Sequence, residues 1–117
     1  PEEFSPFWER VKSTAKEIGR ESASIESAYH LLCNIDNDRG KAMAEGAEVV
    51  NKYYHANYKS LDDVRWGVDT YGTAEDCIHQ IQGLANAGCQ YFAVRFAAKN
   101  QREQLRRFSE DVLPAFR

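Results

Sequence analysis

Arg95 sits inside the apolar run Tyr91–Ala98. A cation placed there demands an anion, supplied either by a ligand phosphate or carboxylate or by a structural carboxylate on another strand. A second run, Ser24–Ile35, carries His30 and Asn34 at even spacing, so strand alternation puts both on one face, with Asn34 nearer the C-terminal end. A strand histidine can hydrogen-bond a substrate or be satisfied by a core neighbour, and Asn34 is open to the same two roles. Arg65 and Trp66 fall in an irregular stretch, where they read as a basic ligand contact or as an exposed cation beside a loop anchor. Thr73 opens a helix; its hydroxyl could meet a phosphate there, although capping alone explains it. His55 and His79 lack metal-ligand spacing, and Cys77 lies near a helix start without a base spaced to activate it. No Ser-His-Asp arrangement, P-loop or GxGxxG is present, so no catalytic residue is nominated.

The elements that position these groups follow from the spacing of apolar residues. A first helix is predicted from about Glu2 to Gly19, with Phe4, Phe7, Trp8, Val11, Ala15 and Ile18 at three- and four-residue steps. The strand Ser24–Ile35 directs Tyr29, Leu31, Cys33 and Ile35 one way and Ala28, His30, Leu32 and Asn34 the other. A helix capped by Asp36 or Asn37 runs to Tyr54, with Met43, Ala47, Val50 and Tyr54 on its apolar side. His55 to Tyr71 shows no clear period, and a stretch that long is usually functional or mobile. Thr73 caps a third helix, with Asp76 as its capping-box acid and Gly88 as its end. In the strand Tyr91–Ala98, Phe92, Val94 and Phe96 share one face. A last helix, Gln101–Phe116, presents Leu105, Phe108, Val112 and Phe116.

Composition narrows the class. The 117 residues are 43% hydrophobic and 28% charged, which suits one globular domain or part of one. A net charge of −3 argues against a nucleic-acid groove; Arg102, Arg106 and Arg107 alternate with Glu103, Glu110 and Asp111 as on a solvated helix face. No apolar stretch approaches the ~20 residues of a membrane span. Three cysteines, Cys33, Cys77 and Cys89, without CxxC spacing, read as small buried apolar residues, and a reducing cytoplasm is the expected setting. The chain opens on Pro-Glu-Glu, a typical first helical turn, so the expectation is a segment cut at the edge of an element.

Helices alternating with strands across short turns predict parallel strands covered by helices. Only two such runs are visible, too few for a sheet that buries them, so the expected class is α/β, the C-terminal portion of a (β/α)8 TIM barrel with two parallel strands flanked by four helices. In that frame Phe92, Val94 and Phe96 face outward, Arg95 faces inward near the ligand-binding end, and His30 and Asn34 converge on the same mouth.

The stretch GTAEDCIHQIQGLANAGCQYFAVRFAAKNQREQLRRFSEDVLPAFR resembles the C-terminal end of the luciferase-like monooxygenases. That family commonly finishes with a Gly-Thr/Ser-Pro-Glu-Glu helix start, an Ala-Gly turn, a short apolar strand, a DQ…L..F helix and an LP ending. Ala74 replaces the usual Pro and Asn100 stands where Asp is common. The upstream FWERVKSTAKEIGR…SIESAYHLLCNIDNDRGKAMAEG is similar to the segment around the seventh barrel strand, so the likeness spans nearly this whole chain and the C-terminal third of a full-length member. It rests on helix caps and packing positions.

The resemblance implies an oxidoreductase or monooxygenase using FMN or a 5-deazaflavin, with Arg95, Asn34, His30, Arg65 and Thr73 as cofactor-side residues. It also implies that the substrate-side groups lie on earlier strands, so this segment is not expected to catalyse alone. Its partners would be the remainder of the barrel or a second copy of the chain. The competing expectation is a non-catalytic α/β binding or assembly module that completes its sheet by oligomerising. Seven apolar positions (Phe4, Phe7, Trp8, Val11, Phe92, Val94 and Phe96) call for added cover in either case.

Overall fold

The computed structural model describes residues 2–59, 63, 64 and 68–117, with the backbone alone at 68 and 69. Helix α1 is Phe4–Glu17, followed by a 3-10 turn at Ser22–Ser24; β1 is Ala28–Ile35, α2 Arg39–Tyr54, β2 Val68–Gly72, α3 Ala74–Asn86 and β3 Tyr91–Phe96. The C-terminal helix begins as α4, Gln101–Arg107, widens through a π turn at Phe108–Val112 and tightens to 3-10 at Leu113–Phe116.

Three parallel strands stand in the order β2-β1-β3. The step from β1 to β2 goes one way and the step from β2 to β3 returns across β1. With right-handed crossovers, opposite steps place their helices on opposite faces. The two buried clusters show this: Leu31, Cys33 and Ile35 meet Cys77, Ile81 and Leu84 of α3 and Phe108 and Val112 of the last helix, while Leu32 meets Ala42 and Val50 of α2. The α/β class and the parallel pairing thus match the sequence pattern, and so does the split of β1 into two faces.

Several expectations are corrected. Among the described residues the sheet has three strands, not two: Val68–Gly72 lies, all but its last residue, in the stretch that shows no period. It is only five residues long and has helices on both sides of its sheet, so alternation has nothing to act on. β1 starts at Ala28 rather than Ser24, because buried Ser27 is spent fastening the strand starts together: its Oγ donates to Gly88 O (2.7 Å) and accepts from Gln90 N (3.1 Å). The cap of α2 is Asp38, whose carboxylate accepts from Lys41 N (3.1 Å), while Asp36 accepts from Asp38 N (2.8 Å) one turn earlier.

On the last helix, Leu105 is 56% exposed and Phe116 is also exposed. Phe108 and Val112 are buried as expected, and Gln104 rather than Leu105 completes their row. Of the seven apolar positions expected to lack cover, Phe4, Phe92, Val94 and Phe96 pack on the main cluster. Phe7 is 67% exposed. No helix among the described residues is long and apolar enough to cross a membrane.

Candidate functional site

The sheet face under α2 brings together the polar side chains singled out in β1 and β3. In register, His30 stands beside Ala93, Leu32 beside Arg95, and Cys33 beside Phe96. His30, Leu32 and Asn34 therefore share a face with Ala93, Arg95 and Ala97. His30 lies exposed at the N-terminal half of the strand, well below the other two. Asn34 is 1% exposed, and both donors of its side-chain amide are used: Nδ2 donates to Ala97 O (2.8 Å) and to Glu45 Oε2 (3.0 Å). That side chain clips the ends of β1 and β3 to α2.

Arg95 is half-buried and anchored by the end of α2. Its guanidinium lies 3.7 Å from the centre of the Tyr53 ring, and Nη1 donates to the Tyr54 hydroxyl (3.0 Å). The two tyrosine rings meet edge to face at 4.7 Å. Among the described residues Arg95 has no carboxylate partner, so stacking and one neutral hydrogen bond hold a cation whose charge stays available.

Two more basic side chains stand nearby. A cleft of about 630 Å³ is lined by Glu48, Val49, Lys52, Tyr53, Ala98 and Lys99. Lys99 pairs with Glu48 at 2.7 Å, and that carboxylate draws the Lys99 pKa upward.

This cleft opens on one side of the switch point between β1 and β3, where open α/β sheets collect ligands outside the strand ends. The other side is closed by the chain's own side chains. Gln104 accepts from Ile35 N (2.8 Å) and donates to Ile35 O (3.0 Å). Arg107 reaches Ile35 O (3.0 Å) and Asn37 Oδ1 (2.9 Å), and Gln101 donates to Phe96 O and Ala98 O. The strand ends are saturated from the α4 side and open only toward α2.

Thr73 lies at the opposite edge of the sheet, after β2, and is not joined to this group. Its Oγ1 accepts from Asp76 N (3.2 Å), and its own N–H donates to Asp76 Oδ2 (2.9 Å). The N–H and hydroxyl of Thr73 together hold the Asp76 carboxyl below its ordinary range. The capping box thus occupies the groups a phosphate would need. Arg65, like Trp66, lies outside the described residues.

The cysteines form no reactive centre. Cys33 and Cys77 are fully buried and hydrogen-bonded to each other; that bond, with burial, pushes the Cys33 thiol far up. Burial also raises Cys89, whose Sγ donates to Tyr91 O (3.2 Å). Such thiols pack as apolar groups. Among the described residues no group of His, Cys, Asp and Glu could hold a metal ion.

Arg95 does not line the cleft beside Tyr53: its guanidinium borders a space of only about 10 Å³ shared with Tyr53 and Tyr54, while the cleft presents Tyr53, Lys52 and the Lys99–Glu48 pair. Sequence reasoning reached Arg95 and Asn34 but missed Glu45, the Tyr53–Tyr54 pair, Lys52, Lys99 and Gln104. The one signal for them was the adjacent tyrosines at a helix end, where both rings cannot be buried in the same stripe. Comparison with known protein families and with curated proteins finds no match for this chain.

Proposed function

We propose that the chain is the C-terminal part of a luciferase-like, flavin- or deazaflavin-dependent oxidoreductase or monooxygenase, and that it contributes the anion-binding wall of the cofactor or substrate site. The observation that carries this reading is Arg95, a cation within β3 that has no carboxylate partner among the described residues. The pairing of β1 with β3 supports it, since the seventh and eighth strands of a (β/α)8 barrel are parallel neighbours. The resemblance of residues 72–117 to that family's C-terminal end supplies the cofactor class. FMN and the phosphorylated deazaflavins carry a phosphate, which Arg95 could meet. The reading requires α2 to leave the Leu32–Asn34 face where further strands close the barrel.

The test is titration of the protein purified from its source with FMN and with a 5-deazaflavin, followed by cofactor fluorescence, for the wild type and for Arg95→Gln. Saturable uptake with a loss of tenfold or more in the variant supports the reading. Absence of uptake of either cofactor overturns it.

The alternative is a non-catalytic module that completes its sheet with another chain. It is favoured by one observation: β2 and β3 are both edge strands among the described residues. Uptake of neither cofactor, with association through strand edges, would establish it.

A further inference from the structure

Helix α1 carries two apolar stripes, of which only one is used. Phe4 packs edge to face on Tyr29 at 5.8 Å and Ala15 is buried, so this side turns inward. Phe7, Val11, Thr14 and Ile18 form the second stripe, at steps of four, three and four residues. That is the spacing of a coiled-coil seam. Phe7 is 67% and Ile18 75% exposed, and the stripe lines an apolar groove of about 330 Å³.

The charges along its margin identify what covers it. Arg10 and Glu17 are seven residues apart, so they flank the same side of the seam one above the other. Arg10 has no ion pair among the described residues, and Glu17 accepts only from the Ser13 hydroxyl (3.3 Å). A second α1 laid antiparallel across a two-fold axis would set Phe7 against Ile18 of the other copy and Val11 against its Thr14. The same axis brings each Arg10 to the other copy's Glu17, twice per pair. An isologous contact must be self-complementary in this way, with opposite charges at mirrored positions around an apolar centre.

We propose that two copies of this chain associate through the outward stripe of α1, in antiparallel register, with reciprocal Arg10–Glu17 pairs. The surface is distinct from Arg95, from the cleft beside Tyr53 and from the sheet edges, so the inference does not depend on the function proposed above. Two four-turn helices bury less than the ~1,200 Å² of standard complexes, so the dimer forms at high protein concentration.

Sedimentation equilibrium over a wide concentration range tests it. The wild-type mass should climb from the 13.4 kDa of one chain toward twice that value. Ile18→Asp should hold it at one chain, with an unchanged far-ultraviolet spectrum because that side chain is already exposed. Arg10→Glu should weaken association by tenfold or more, and Arg10→Glu combined with Glu17→Arg should restore it. A wild type that stays at one chain throughout overturns the proposal and leaves the stripe to a different partner. Association that ignores Ile18→Asp, or a charge swap that fails to restore it, overturns it in favour of another surface such as the β3 edge.

Discussion

The polar residues of this chain divide by how far away their partners lie. Thr73 and Asp76 cap α3 across three residues, so their geometry is legible in the sequence and is found as expected. Gly72 belongs to the same corner: its φ is +114°, and a Cβ there would stand 2.5 Å from Asp76 Oδ2. Asn34 and Arg95 are different. Asn34 is spent on partners 11 and 63 residues away, and Arg95 on a tyrosine 41 residues away, distances no local pattern encodes. The capping box makes a pH prediction with a definite sign. The fold lowers the Asp76 pKa through the Thr73 N–H and hydroxyl, so it favours the ionised carboxylate. That contribution is complete above the unfolded carboxylate range and is lost as pH falls through the lowered folded value. Chemical denaturation should therefore show Asp76→Asn less stable than wild type at neutral pH, with the gap closing below about pH 4. Thr73→Ala should cost about 1 kcal/mol at neutral pH. A gap that is independent of pH would show that the carboxylate's charge is not what caps the helix.

At the level of elements, the helices were legible and β2 and the final stripe were not. Helices announce themselves by caps and by the 3.6-residue period; α2 and α3 carry both, and α1 carries the period and a glycine stop at Gly19 without a side-chain N-cap. β2 has five residues and lies at the end of a stretch without period, so nothing in its own sequence sets it apart. The final helix buries Phe108 and Val112 of its apolar period but sets Gln104, not Leu105, beside them in the buried row. Gln104 is the polar member of that row because it does what an apolar side chain could not: it satisfies both the N–H and the C=O of Ile35 at the end of the central strand. Replacing it with Leu would keep the volume and strand the Ile35 N–H in a buried place, while Arg107 still donates to the Ile35 carbonyl. Gln104→Leu should therefore lower unfolding stability by about 1–3 kcal/mol, despite its greater hydrophobicity. Urea denaturation measures this directly. An unchanged or higher midpoint would mean that Ile35 finds other partners and that Gln104 is only filler.

For the whole molecule, the order β2-β1-β3 makes the structure unequal from one edge to the other. β1 is bonded on both sides and holds the largest fully buried side chains, Leu31, Leu32 and Ile35 among them. β3 is bonded on one side. Tyr91 N donates to Ser27 O and Ala97 N to Cys33 O, so alternation turns the amides of Ala93 and Arg95 toward β1 as well and those of Phe92, Val94 and Phe96 away from it. Paired amides in a core strand open only with global unfolding, whereas unpaired edge amides exchange through small local fluctuations. In solution dilute enough to hold the chain as a monomer, hydrogen exchange followed by NMR should show the Phe92, Val94 and Phe96 amides exchanging faster than those of Leu32–Ile35, by a factor on the order of 100 or more. The same measurement on assembled or longer protein separates the functional readings. Both the barrel and the sheet-completing module require another strand against β3, and either would slow those three amides to the rate of the core. Dimerisation through α1 would leave them fast at every concentration, because its interface lies on a helix and not on the edge of the sheet.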